Sequence, residues 1–212
     1  QVVVSRSGLR MAFASRASNL VPGDSDTLSD IFVRTQATGL MSRASAAAEA
    51  INGGAQEAFA DPALSADGAR IAFSGSSGQV YAAINGVGRV LSRSAGGALG
   101  NGPSGKVHLP GSGNRAYFES QASNLLTRAD GNGSLADIFM ADLATGAVTL
   151  ISSGPNGEPA NGANGLPWAS DNGQAVAFST LATNLVVASP AVPAGTRQVV
   201  MLREGSSNRL YL

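Results

Sequence analysis

The sequence predicts an all-β fold, a β-propeller of four four-stranded blades. Three observations predict it. First, one segment recurs four times. Gly8-Leu9-Arg10-Met11-Ala12-Phe13 returns as Gly68-Ala69-Arg70-Ile71-Ala72-Phe73, as Gly113-Asn114-Arg115-Ala116-Tyr117-Phe118 and as Gly173-Gln174-Ala175-Val176-Ala177-Phe178. The phenylalanines lie 60, 45 and 60 residues apart, and self-similarity at such a spacing marks a repeat architecture. Second, turn dipeptides separate short runs rich in Val, Ile, Phe and Tyr, which is how strands and hairpins read. Third, no segment holds a long 3.6-residue apolar period between capping signals.

Each unit then resolves into four strands. The inner strands are Val2-Val3-Val4-Ser5, Pro62-Ala63-Leu64-Ser65, Val107-His108-Leu109-Pro110 and Pro167-Trp168-Ala169-Ser170. Turns at Ser7-Gly8, Asp67-Gly68 and Asn172-Gly173 lead into the second strands, which carry the phenylalanines. The third strands are Asp30-Ile31-Phe32-Val33, Gln79-Val80-Tyr81, Asp137-Ile138-Phe139-Met140 and Gln198-Val199-Val200. Turns at Thr38-Gly39, Asn85-Gly86, Thr145-Gly146 and Glu204-Gly205 precede the outer strands, such as Val148-Thr149-Leu150-Ile151 and Arg209-Leu210-Tyr211-Leu212. Asn52-Gly53, Asn101-Gly102 and Asn161-Gly162 read as equivalent loops ahead of the next inner strand. The one helical rival is Ser45–Ala50, alanine-rich and long enough for a single turn, with no stop signal before Asn52-Gly53. Such a blade buries both faces only against its neighbours, and small residues at Ala12, Ala72 and Ala177 let neighbours approach closely. One domain over 1–212 follows, with blades near 1–45, 58–95, 107–153 and 165–212. The first strand is inner and the last outer, so no split blade closes the circle. A four-bladed ring closed by packing is the first reading. Part of a larger propeller and a ring built by two chains are the others, so the assembly is expected to be a monomer or a homodimer.

Composition narrows the function. The 212 residues carry 14 basic and 14 acidic side chains, only 13% are charged, and 27 are glycine. A neutral, weakly charged chain is not expected to bind nucleic acid, which rewards a basic excess, nor to insert in a membrane. There is no cysteine, so disulfides, thiolate zinc sites and cysteine nucleophiles are excluded. The single histidine, His108, excludes a multi-histidine metal site within one chain.

Pro62 to Ser74, reading PALSADGARIAFS, resembles the blade motif of TolB-like (WD-repeat-like) propeller repeats, and Pro167 to Ser179 with Trp168 resembles its Pro-x-Trp-Ser-x-Asp-Gly form. Ala17-Ser18-Asn19-Leu20 through Asp30-Ile31-Phe32-Val33, repeated at Ala122-Ser123-Asn124-Leu125 with Asp137-Ile138-Phe139 and begun again at Ala182-Thr183-Asn184-Leu185, is similar to a secreted bacterial subgroup. The resemblance covers nearly the whole chain. It implies a propeller, a periplasmic or extracellular location after removal of a signal peptide, and a binding or scaffolding role. It does not specify an activity, since a fold hosts many functions.

The polar insertions between second and third strands are the candidate metal loops. Asp130, Asn132, Ser134 and Asp137 stand at positions 1, 3, 5 and 8 of one loop, and Asp24, Asp26 and Asp30 at 1, 3 and 7 of another. Oxygen donors on alternate residues of a glycine-permitted turn can converge on calcium. The same residues also build metal-free Asx-turns. The Asp130 loop is the better calcium candidate of the two. The second blade lacks this insertion, and the fourth has Ser189-Pro190-Ala191-Val192-Pro193 in its place. Gly100–Val107 approaches a phosphate-binding loop, but Val107 stands where Ser or Thr is required and a strand follows instead of a helix.

A serine triad would have to use His108, and no Gly-x-Ser-x-Gly elbow exists. Glu119 beside Arg115 reads as a cross-strand ion pair. Trp168, the only tryptophan, reads as blade packing or as a stacking platform for a ligand. The expected function is a non-catalytic binding or scaffold module, with a protein or glycan partner taken on the loops or channel and calcium stiffening the loops. The competing expectation is a carbohydrate-active lyase or hydrolase acting at the central channel. It ranks lower because the chain is poor in the His, acidic and aromatic residues such channels gather.

Overall fold

The computed structural model describes residues 1–128, 130–186, 198–204 and 207–211. Ser189–Pro193, Gly205 and Leu212 lie outside the described residues. The first blade is β1 (Val2–Val4), β2 (Arg10–Ser15), β3 (Asp30–Thr35) and β4 (Met41–Arg43). A helix, α1 (Ala46–Ile51), follows. The second blade is β5 (Phe59–Leu64), β6 (Arg70–Gly75), β7 (Val80–Ile84) and β8 (Val87–Val90). The third is β9 (Ser104–His108), β10 (Arg115–Ser120), β11 (Asp137–Asp142) and β12 (Val148–Leu150). The fourth is β13 (Asn164–Ala169), β14 (Ala175–Thr180), β15 (Gln198–Glu204) and β16 (Ser207–Tyr211). Within each four-stranded sheet the strands pair in chain order, and all pairs are antiparallel.

The recurring glycine makes the inner hairpin. Gly8, Gly68, Gly113 and Gly173 all have φ between 64° and 71°, a left-handed conformation that only glycine adopts freely. Each donates its N–H to the carbonyl three residues back, at Ser5, Ser65, Pro110 and Ser170. Three inner strands also carry a bulge that nothing in their composition announces. Asp61, Lys106 and Leu166 have φ of 53°, 49° and 54°, and the pairing register shifts around each. A bulge bends its strand and re-aims the residues after it. β1 pairs without a shift.

Cores form between blades. Ala12 and Ile31 of the first pack with Phe59, Ile71 and Phe73 of the second. Ala72 and Val80 pack with Leu109 and Phe118 of the third. Tyr117 and Ile138 pack with Ala169 and Phe178 of the fourth. The hairpin tips are also laced together: Ser7 N–H donates to Ala66 O, Ala66 N–H to Gly111 O, and Ser112 N–H to Asp171 O. An arginine doubles each link. Arg10, Arg70 and Arg115 donate to the carbonyls of Gly68, Ser112 and Gly173 at 3.1, 3.4 and 3.1 Å. Ala175 holds the matching place in the fourth blade.

Arg115 therefore does not pair with Glu119 as expected. Four residues along one strand are about 13 Å apart, and Glu119 instead accepts the Leu166 N–H at 2.5 Å. The alanine-rich segment does form a helix, α1. It has no side-chain cap, and packing holds it: Ala48 is fully buried. A Cβ on Gly88 would stand 1.9 Å from the Ala47 carbonyl oxygen, so the helix lies directly on β8. Asn52 caps this helix, and its side-chain amide donates to Glu57 and Tyr81. It is not the equivalent of Asn101 and Asn161.

Three junctions repeat one arrangement, β2 on β5, β6 on β9 and β10 on β13. β14 makes no comparable contact with β1. The first and fourth blades are joined instead by the Arg6–Asp171 ion pair at the hairpin tips.

Candidate functional site

The four inner strands surround a cavity of about 440 Å³. One residue from each inner strand, Val3, Ala63, His108 and Trp168, borders it at the equivalent place. Val3, Ala63, His108 and Trp168 pair with Ala12, Ala72, Tyr117 and Ala177, so the blades place them equivalently. The indole of Trp168 is 70% exposed and lies against the His108 imidazole, ring centroids 4.3 Å apart and tilted 32°. His108 Nε2 stands 3.2 Å from the Ala169 carbonyl oxygen. That oxygen only accepts, so Nε2 carries the proton. Burial holds the imidazole below its ordinary pKa, and the Ala169 carbonyl opposes that shift. Among the described residues no carboxylate hydrogen-bonds His108, so the geometry of a catalytic triad is absent there.

The first-blade loop brings its three acids together. Ligand oxygens of Asp24, Asp26 and Asp30 lie within 4.8 Å of one another. Asp30 Oδ1 accepts from Ser45 Oγ at 2.5 Å, and Asp26 Oδ1 accepts the Leu28 N–H at 2.7 Å. Arg43 sits beside them, 3.3 Å from Asp30 and 3.6 Å from Asp24, with its other nitrogen 2.9 Å from Glu49. Asp24 Oδ1 is buried and makes no hydrogen bond. Burial raises the Asp30 pKa, and Ser45 and Arg43 oppose the rise. Burial raises Glu49 as well. Four carboxylates against one guanidinium leave a negative, oxygen-lined pocket, the donor chemistry that suits calcium.

The third-blade loop is arranged differently. Asp130 Oδ1 accepts the Asn132 N–H at 3.2 Å, an Asx-turn. The Asn132 side-chain amide donates to Asp137 Oδ2 at 3.1 Å. Asp137 Oδ1 accepts from Ser152 Oγ at 2.6 Å and from Asn164 Nδ2 at 3.0 Å. Ser134 is exposed and stands outside this network. Desolvation pushes Asp137 up to about 6, Asp130 adds to the rise, and the bonds from Ser152, Asn132 and Asn164 oppose it.

A structural role for Asp30 and Asp137 is clear from the second blade. Ser45 and Ser152 each bond the leading aspartate and accept the next strand N–H. Ser92 does the same with Gln79 and Val80. An amide replaces the carboxylate there, so the latch needs an acceptor and not a charge.

Sequence reasoning missed a second repeated network. Asn101 N–H donates to Asn124 Oδ1, Ser123 N–H donates to Asn101 Oδ1, Asn101 Nδ2 donates to Ser123 Oγ, and Asn124 Nδ2 donates to Leu99 O. Asn161, Thr183, Asn184 and Pro159 repeat all four bonds. The joint recurrence of Asn-Gly with Ala-Ser/Thr-Asn-Leu was the available signal. This clasp also occupies the Gly100–Val107 loop that approaches a phosphate motif.

No family model matches the sequence, and no curated protein matches it. Solved structures do. TolB from Acinetobacter baumannii matches with a TM-score of 0.52 and 12% identity, over 99% of this chain and 43% of that one. A prolyl endopeptidase matches at 0.56 and 11%, over 99% and 28%. Oligogalacturonate lyase from Vibrio parahaemolyticus matches at 0.52 and 12%, over 98% and 50%. The chain thus spans half or less of the length of each. Together with the four sheets, the likeness makes the fold a four-bladed β-propeller of the TolB-like kind. No helix among the described residues is long and apolar enough to cross a membrane.

Proposed function

We propose that the chain is a non-catalytic binding module that takes a protein or glycan partner at the central cavity. The observation that carries this is Trp168. A 70% exposed indole on an inner strand, held by the His108 ring beside a cavity of about 440 Å³, offers a flat apolar face of the kind that stacks on sugar rings or proline. Binding is favoured over catalysis because His108 is committed to the Ala169 carbonyl. The same proposal gives calcium to Asp24, Asp26 and Asp30 as a loop-stiffening ion, since these acids converge, whereas Asp137 of the other loop is already bonded by Asn132, Ser152 and Asn164. Export to the periplasm or the exterior belongs to the proposal and rests on the loop resemblance.

Trp168 is the only tryptophan, so intrinsic fluorescence reports the site directly. The probes are an oligogalacturonide and a proline-rich peptide, chosen from the chemistry named for the lyase and endopeptidase neighbours. A saturable change in emission with either probe, with heat of binding that Trp168→Ala abolishes, supports the reading. Heat of binding that survives Trp168→Ala moves the site elsewhere. Turnover of either probe replaces a binding module with an enzyme.

A further inference from the structure

Two of the four blades are clasped by the loop that precedes them, and the first is not. In the third and fourth blades the Ala-Ser/Thr-Asn-Leu turn after the second strand is bonded by an Asn-Gly loop. That loop begins seven residues ahead of the central inner-strand residue, Asn101 before His108 and Asn161 before Trp168. The loop presses close: a Cβ on Gly102 would stand 2.5 Å from the Gln121 carbonyl oxygen, and one on Gly162 2.7 Å from the Leu181 carbonyl carbon. The apolar members of the turn are buried beneath it, Ala122 at 3% and Leu125 at 2% exposed, Ala182 and Leu185 at 1%.

The first blade carries the same turn, Ala17-Ser18-Asn19-Leu20. Among the described residues Ser18 and Asn19 are exposed and make no hydrogen bond, and Ala17 and Leu20 are half-exposed. The inner strand agrees. Val2 and Val4 occupy the places of Val107 and Leu109, which pack on the preceding blade. Leu109 is 4% exposed, whereas Val2 and Val4 are each 60% exposed. Both the polar clasp and the apolar half of a blade junction are therefore laid out on this edge.

We infer that the edge formed by Val2, Val4 and Ala17–Leu20 is a docking surface for a further propeller blade that ends in an Asn-Gly loop. The asparagine bonds the Ser18 N–H, the Ser18 hydroxyl and the Asn19 amide, as Asn101 bonds Ser123 and Asn124. The three existing junctions supply the template. A second copy of the chain fits less well, because its Asn101 and Asn161 are already engaged at Ser123 and Thr183. Asn52 is tied to Glu57 and Tyr81.

The Ser18 amide is the reporter, and Ser123 is its internal reference. In the full chain, hydrogen exchange by NMR is expected to be slow at Ser123 and Thr183 and fast at Ser18. A copy of residues 104–165 is then joined ahead of Gln1, which sets its asparagine seven residues before Val3. Exchange at Ser18 is expected to slow on the order of tenfold or more, and to return to its original rate when the added copy carries Asn161→Ala. Unchanged exchange at Ser18 while the strand amides of the added blade are protected overturns the inference. So does an added blade that does not become protected on this edge, since the same segment folds on the second blade. A solution mass of two chains, with Ser18 already protected in the unextended protein, assigns the edge to a second copy and overturns the proposed occupant.

Discussion

Trp168 and His108, on the inner strands of adjacent blades, stack with ring centroids 4.3 Å apart. The indole covers part of the imidazole, and burial disfavours the ring's charged form. Its folded pKa lies below the ordinary value of 6.5, so the folded state binds the proton less readily than the unfolded one. The contribution is complete above 6.5 and is lost as pH falls from there through the lower folded value. Urea unfolding between pH 8 and pH 5 is expected to show this loss as a difference between the native chain and His108→Leu, because Asp137 titrates in the opposite sense over the same range. His108→Leu is expected to remove it, and Trp168→Ala to shrink it by admitting water to the ring. A pH profile unaffected by His108→Leu contradicts the assignment.

Asp137 works in the opposite direction. Its carboxyl is pushed from 3.8 up to about 6 by burial, so the folded state holds the proton more tightly. Stability present below 3.8 is lost as pH rises through 6, by about 2–3 kcal/mol from this group. Gln79 shows that an amide serves the same latch to Ser92. Asp137→Asn is therefore expected to fold and to flatten the decline between pH 4 and pH 7 in chelator. A decline of unchanged size in that variant sets the titration elsewhere.

Calcium is expected to raise the melting temperature through the first-blade loop. At 100 times its dissociation constant a ligand of the folded state adds about 2.7 kcal/mol, or about 5–10 °C for a chain of this size. Asp26→Asn is expected to abolish the rise, whereas Asp130→Asn leaves it. Equal melting in calcium and in chelator returns Asp24 and Asp30 to service as partners of Arg43, and Asp26 to its bond with the Leu28 N–H.

The repeated glycine-to-phenylalanine segment made the strands, their order and their inner hairpins readable, because one local conformation with positive φ recurs at Gly8, Gly68, Gly113 and Gly173. What escaped depended on contacts distant in sequence. Asp61, Lys106 and Leu166 adopt left-handed backbone without being glycine, so their bulges leave no compositional mark. Asn101 meets Asn124 across a junction 23 residues away, and neither residue alone announces a partner. Asp24, Asp26 and Asp30 were legible as a loop of alternate oxygens, but Arg43 and Glu49, which set its charge, come from β4 and α1.

The helix α1 is the sharpest case of tertiary override, and it gives the last prediction. Six residues make a marginal helix in isolation, and this one has no side-chain cap. It forms because Ala48 is enclosed between blades and because β8 presents Gly88, where a Cβ would stand 1.9 Å from the Ala47 carbonyl oxygen. That obstacle is backbone and cannot rotate aside. Gly88→Ala must therefore lift the helix from the sheet, at a cost of about 1–3 kcal/mol. The displacement also moves Glu49 away from Arg43. Denaturant unfolding is expected to show that loss, together with a weaker calcium-dependent rise in melting temperature. Gly86→Ala on the neighbouring turn tests the other half of the argument. A Cβ there meets nothing, but φ is 81°, so its cost is conformational and leaves the calcium response unchanged. If Gly88→Ala costs no more than Gly86→Ala, the close approach of α1 to β8 is not what holds the helix.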